Sequence, residues 1–242
     1  MSKSYKGRGI VLNSLKYGDS SLIVHLLTDV LGRQNYIVQG VKSSRGRGSK
    51  MALFQPLFAL EFEGSESRYG EMHRFKEVQS GVLLSRTPYD VRRSTVALFV
   101  AEVLYRLIKE REPNPELFDY AWGSLIALDT IEEGVANFHL WFLANLSRLL
   151  GFYPNGEWQK GWWIDVVEGG YTPTKPNHSL YLTPEYAELM RDFTECDVQH
   201  LGEIGLNRGQ RVEFLSAILN YYGYHLDSIK SVQSVEILRE VF

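Results

Sequence analysis

The apolar residues of this chain change period once, and that change limits the fold more than any other feature. Up to about residue 82 they sit in short β-rich runs: "RGIVLNSLKY" (8–17), "SLIVHLLTD" (21–29), "GRQNYIVQGV" (32–41), "PLFALEFEG" (56–64) and "EMHRFKEVQSG" (71–81). In the fourth, Phe58, Leu60 and Phe62 alternate with Ala59, Glu61 and Glu63, the period of two that a half-buried strand requires. Gly18-Asp19 and Leu31-Gly32 supply turn chemistry between the first three. Beyond Pro88, Val96, Phe99, Val100, Val103, Leu104, Leu107 and Ile108 recur at helical spacing. Strands first and helices after them make an α+β, multi-domain chain.

Five short strands in about eighty residues match an OB-fold β-barrel in size, and a small SH3-like barrel has nearly the same string. The predicted boundary falls after residue 82, giving a barrel domain over 1–82 and a helical domain over 83–242. Further helices are predicted over 115–131, 135–151, 184–195 and 208–224, with a short one in the tail 229–242. The 135–151 segment is apolar on most faces and suits the centre of a bundle. Segment 152–183, with Pro154, Pro173 and Pro176, is predicted irregular. Its Trp158, Trp162 and Trp163 read as plugs of that region rather than as a partner surface.

Net charge is −3 but unevenly divided. Residues 1–80 carry twelve Lys and Arg against seven Asp and Glu; residues 81–242 carry fourteen against twenty-two. That asymmetry marks a polyanion-binding module joined to an acidic one. Its focus is "VKSSRGRGSK" (41–50), four cations on a Gly/Ser backbone between the third and fourth strands. Gly and Ser let a backbone approach phosphates closely, and Lys and Arg displace their counterions. An isolated run of this kind is usually a solvated loop. Lys3, Lys6, Arg8, Lys16 and Arg33 in the same module favour nucleic acid instead. The candidate contacts are Lys3, Lys6, Arg8, Arg33, Lys42, Arg45, Arg47 and Lys50. Tyr5, Tyr17, Tyr36 and Phe54 are candidate platforms for unpaired bases. Most strand aromatics belong to cores; Tyr36, preceded by Gln34 and Asn35, is the preferred platform.

Other chemistry finds no support. The single Cys196 allows no internal disulfide and no Cys-rich zinc site, and its neighbour His200 lacks third and fourth ligands. No metal or cofactor is therefore expected. Arg47 follows Gly46 where a P-loop needs Lys and then Ser or Thr. Nucleophile-elbow, zinc-protease and dinucleotide fingerprints do not occur, so the chain is not read as an enzyme. With no apolar run of membrane-span length and a polar start, a cytoplasmic, nucleoid-associated protein is expected.

Three stretches, in order, resemble the bacterial RecO recombination-repair family. The first is "YGDSSLIVHLLTDVLGR" (17–33), followed by Gly40-Val41-Lys42 and Gln55-Pro56. The second is "LSRLLGFYP" (146–154), and the third is "FLSAILNYYGYHL" (214–226). The resemblance implies an OB-fold followed by a helical domain, and binding and annealing of single- and double-stranded DNA. It also implies work with RecR to load the RecA recombinase onto DNA coated by single-strand-binding protein. Many relatives hold zinc through Cys-x-x-Cys pairs after the second stretch. Residues 155–183 have no cysteine here, although Gly169-Gly170 stands where a Gly-Gly often precedes the second pair. The resemblance further implies that the helical domain receives the acidic, Phe-ended tail of single-strand-binding protein. Residues 81–242 are net acidic, so no broad basic surface is expected there; Arg148, between the apolar run 138–146 and Leu149-Leu150, is the candidate cation, with a solvated helix residue as the alternative reading. The rival readings are a protein-interaction adaptor with no direct DNA role and a nucleic-acid-processing enzyme.

Overall fold

The computed structural model describes residues 4–40, 50–65 and 72–242, with main chain alone at Lys50. Two compact units divide the chain, Met1–Asp129 and Thr130–Phe242. The first therefore extends past the change of period at residue 82 and takes in the first two helices.

In unit one, β1 (Ser4–Tyr17), β2 (Ser21–Thr28), β3 (Gly32–Val38), β4 (Ala59–Ser65) and β5 (Met72–Ser80) close a barrel in the order β1-β2-β3-β5-β4. β3 and β5 run parallel and all other neighbours antiparallel, which is the OB arrangement. The 14-residue β1 pairs with β4 through its first half and with β2 through its second. A bulge between Val11 and Asn13 inserts one unpaired residue, Leu12, and so reverses which side chains face the core. Before it Tyr5 and Val11 belong to the interior; beyond it the pairing places Asn13, Leu15 and Tyr17 on the outside.

The interior packs Val11, Leu22, Val24, Leu26, Tyr36, Phe54, Leu60 and Phe62 against Tyr5 and Phe75. Tyr36 stacks on Phe75 at 4.4 Å between centroids, and its hydroxyl is hydrogen-bonded to that of Tyr5 at 2.9 Å. Tyr5 in turn meets His73 Nδ1 at 2.6 Å. A single 3-10 turn, Lys50–Phe54, brings Phe54 into this core.

The helices of unit one are α1 (Val91–Leu107) and α2 (Pro115–Thr130). Asp90 caps α1 by accepting from the Arg92 and Arg93 amides. α1 packs on β1, where Ile10 and Leu12 are buried although their neighbour Val11 points into the barrel. The linker from β5 to α1 is held by one carboxylate. Asp129 accepts from the amides of Ser85 at 2.8 Å, Arg86 at 2.9 Å and Thr87 at 2.7 Å, and from the Ser85 hydroxyl at 3.1 Å. Burial alone would raise its pKa, but the Thr87, Ser85 and Arg86 amides outweigh burial and hold it down at about 2.

In unit two, α3 (Phe138–Leu149), α4 (Pro184–Glu195) and α5 (Arg208–His225) form the core, with α6 (Ser234–Val241) after them. Asn207 and Gln210 form a capping box at the start of α5. The Tyr222 hydroxyl donates to the Leu143 carbonyl at 2.6 Å, tying α5 to α3. Segment 152–183, expected to be irregular, contains a small antiparallel sheet: β6 (Trp163–Asp165), β7 (Gly170–Thr172) and β8 (Tyr181–Leu182), in the order β7-β6-β8. Strands of two or three residues are too short to show a period, so nothing in the sequence marks them.

The residues of this segment do not fit the family's zinc set. It supplies no thiolate, and His178 Nε2 lies 3.2 Å from Asp165. Among the described residues no group of three or more His, Cys, Asp or Glu is placed to hold a metal ion. Half-buried rings occupy the region instead. Trp163 meets Tyr181 edge-on at 5.0 Å, and the Arg191 guanidinium lies 3.6 Å from the Trp158 ring centroid. Among the described residues no helix is long and apolar enough to cross a membrane.

The Asp129 latch has a pH signature. Its folded pKa lies below the ordinary 3.8, so its contribution is complete above that value and is lost as pH falls toward about 2. Asp129→Asn is expected to destabilise the protein by about 2–3 kcal/mol at neutral pH, since amides bonded to a charged acceptor lose it. In thermal melts the difference between wild type and variant should narrow between about pH 4 and pH 2. A constant difference across that window would remove the latch.

Candidate nucleic-acid interface

The barrel presents two outer faces of opposite character. On one, pairing sets Lys6 opposite Glu63 and Arg8 opposite Glu61, with Glu77 and Gln79 in the next strand. A groove of about 480 Å³ here is lined by Asp29, Glu61, Glu63 and Glu77, with Lys6 and Arg8 as its cations. Hydrogen bonds from Ser4 and then Lys76 hold the Glu63 carboxyl below its ordinary pKa.

The other face belongs to β1, β2, β3 and β5. Pairing places Leu15, Ile23, Ile37 and Arg74 in one row, with Tyr17 beside Ser21 at its edge. The flanking row Ser14, Val24, Tyr36 and His73 carries the buried Val24 and Tyr36, so the first row points outward. Leu15 is 47% and Tyr17 52% exposed; Arg74 and Lys16 are exposed as well. This row holds apolar, aromatic and cationic side chains and no carboxylate; Asp19, on the adjoining turn, is the nearest in sequence.

Among the described residues the predicted contacts do not gather on one surface. Lys6 and Arg8 lie on the acidic face. Arg8 gives its amide to Asp29 Oδ1 at 2.8 Å and its Nε to Oδ2 at 3.1 Å. Its guanidinium also sits near Phe118 and Trp122, at 5.2 and 5.3 Å. Arg33 is a structural cation. One of its Nη atoms donates to the carbonyls of Tyr105 and Ile108 at 2.7 Å each, and the guanidinium lies 4.4 Å from the Tyr105 ring. A helix leaves its last carbonyls without partners, and Arg33 supplies the donors for α1.

Tyr36 is not a stacking platform. It is fully buried in the barrel, because it stands one residue off the outward row. Of the four aromatics considered, Phe54 is buried, Tyr5 is half-buried and Tyr17 stands in solvent. The sequence signal for Tyr17 was its place beside the Gly18-Asp19 turn; Leu15 had none, because the bulge in β1 hides its parity, and Ile23 and Ile37 lie in apolar runs that read as core. Lys3, Lys42, Arg45 and Arg47 lie outside the described residues, as does the Lys50 side chain. In unit two, Arg148 is exposed in the last turn of α3, its guanidinium 5.0 Å from the Tyr153 ring.

Comparison with known proteins agrees with this architecture. Residues 1–89 match the family model described as Recombination protein O N terminal, and residues 88–233 match Recombination protein O C terminal. A protein named DNA repair protein RecO from Bacteroides fragilis is 38% identical over 236 residues, covering 97% of each chain. Those of the same name from Phocaeicola vulgatus and Flavobacterium psychrophilum are 35% identical over 235 residues and 34% over 237, covering 97% and 98% of each chain. With both halves matched and near-complete coverage, the chain belongs to the RecO family of DNA repair proteins.

Proposed function

We propose that this chain is a DNA repair and recombination mediator whose barrel binds single-stranded DNA, and also duplex, without reading sequence. On this proposal it anneals complementary strands and, with RecR, helps load RecA onto DNA coated by single-strand-binding protein. The observation that supports the DNA contact best is the outward row Leu15, Ile23, Ile37 and Arg74 with Tyr17 at its edge. An OB barrel binds oligonucleotides on its second and third strands and adjoining loops. An exposed aromatic gives any base a stacking surface, and Lys and Arg at the margin neutralise phosphates whatever the sequence. The cations of the loop 42–50, Lys42, Arg45, Arg47 and Lys50, join the same chain segment that follows β3 and are assigned to the phosphates.

Contacts with about four to six phosphates give a slope of log affinity against log salt on the order of −3 to −4 for single strands. Replacing the four loop cations by Ala should flatten that slope. Tyr17→Ala should weaken binding by about 1–3 kcal/mol per stacked base and leave the slope unchanged. Anisotropy titrations of a labelled oligonucleotide at several salt concentrations read both effects. Wild-type affinity in Tyr17→Ala would move the binding surface elsewhere.

The tail of single-strand-binding protein is assigned to unit two, with Arg148 over Tyr153 as its cation. A charge-assisted hydrogen bond is worth about 1.5–3 kcal/mol, so Arg148→Ala should weaken an acidic, Phe-terminated peptide about ten-fold or more. DNA binding should not change. Calorimetry giving wild-type affinity for the variant would take Arg148 out of the site.

The proposal needs no metal. Zinc bound by a structural site would be coupled to folding, so chelator treatment should leave the melting temperature unchanged and metal analysis should find no stoichiometric zinc. One zinc per chain would overturn this part of the proposal.

A further inference from the structure

We infer that the connection between α1 and α2 supplies a phosphate-binding cleft to the strand-binding face of the barrel. The cleft, of about 280 Å³, is lined by Arg33, Gln34, Asn35, Lys109 and Arg111. Its lining holds the exposed cations Lys109 and Arg111, two amides, Arg33 already committed to the α1 carbonyls, and no carboxylate, the reverse of the groove on the acidic face. Lys109 and Arg111 are both exposed.

Main-chain contacts fix the cleft in place. Gly32 has φ +62°, and a Cβ there would stand 2.3 Å from the Glu112 carbonyl oxygen, so only glycine lets the connection pass this close. The Arg33 amide donates to the Glu110 carbonyl at 3.0 Å. Lys109 and Arg111 therefore flank an anchored residue. The Glu110 carboxylate accepts from the Lys109 amide at 3.0 Å; it does not line the cleft, but its charge is felt at Arg33.

Asn35 joins the cleft to the binding face. It shares the outer side of β3 with Ile37, two residues away and so about 7 Å along the strand. A strand lying over Ile37 and Tyr17 would bring a backbone phosphate to Lys109 and Arg111. Lysine offers a point charge and arginine a planar fork, and both bind phosphate irrespective of the attached base. The ligand class is thus a phosphodiester of single-stranded nucleic acid, and the inference rests on the outer row being the DNA surface.

The test uses the full chain with Lys109→Ala, Lys109→Ala/Arg111→Ala and Lys109→Glu/Arg111→Glu, beside Tyr17→Ala. Affinity for a labelled mixed-sequence single strand is measured against salt, and thermal melts confirm folding. The salt slope should fall by about 0.7 in the single variant and about 1.4 in the double, with a larger affinity loss in the Glu pair. An unchanged slope in all three, with Tyr17→Ala still weakening binding, overturns the cleft and spares the binding face. No effect of Tyr17→Ala, with the slopes falling as expected, overturns the row and keeps the cleft. No binding by wild type overturns both. A parallel titration with inorganic phosphate separates a free-anion site. Phosphate bound by wild type and lost in the double variant, with an unchanged oligonucleotide slope, would overturn the strand assignment.

Discussion

The arrangement of unit one turns on the contact between the start of β3 and the end of α1. Gly32 allows residues 110–112 to approach, and Arg33 gives its side chain to the last carbonyls of α1. This clamp commits a cation of the basic module to the fold. The alternative for Tyr105 and Ile108 is a pair of carbonyls with no intrahelical partner beside a half-buried guanidinium, and each would lose a charge-assisted bond. It also decides which part of the barrel is covered. Tyr105 meets His25 edge-on at 5.0 Å, and His25 Nδ1 lies 2.6 Å from Asn35 Oδ1, so the end of β2 near β3's start is under the helix. The other end, with Leu15, Ile23 and Ile37, is left to the solvent.

The helices that follow are therefore parts of the barrel's unit and not an addition to it. The family description divides at residues 88–89, but packing holds together everything to Asp129. The reason lies in two long-range polar contacts. Arg33 reaches residues more than seventy positions later, and Asp129 reaches back more than forty to the amides of the linker. Arg8 adds a third, through Asp119 at 3.6 Å and the rings of α2. The first eighty residues carry a net positive charge, yet two of their arginines are spent on this internal assembly. Among the described residues the cations left to the surface are therefore fewer than the sequence count implies.

Much of the fold was legible in the sequence because it rests on local regularities. The five β-rich runs, the change to helical spacing after Pro88 and the Pro115 and Pro184 helix starts all appear as elements. What could not be read has one common cause: it depends on partners distant in sequence. Tyr36 follows two polar residues and looks like an exposed strand start, but its place in the closed barrel is set by Tyr5, His73 and Phe75 on other strands. Arg33 looks like any other cation of the module until α1 is docked. The row of Leu15 and Tyr17 depends on a single extra residue in β1, and a bulge reverses every side chain beyond it without altering composition or period. The strands at 163–182 escaped for a different reason, being too short to carry a pattern.

Sequence-blind binding places a particular demand on such a surface, and the two faces of the barrel meet it differently. A site that reads bases needs fixed donors and acceptors aimed at base edges, and those work only when rigidly ordered. The outward row has almost none: its side chains are aliphatic and aromatic, with Arg74 at one end. Such a row can accept any base by contact alone, and its affinity must come from phosphates at the margin. On the acidic face the same barrel carries cations already paired, Arg8 with Asp29 and Lys76 with Glu63, where a polyanion would first have to displace internal partners. The two sides of the barrel thus differ in charge as well as in shape, and the proposed strand contact falls on the side without carboxylates.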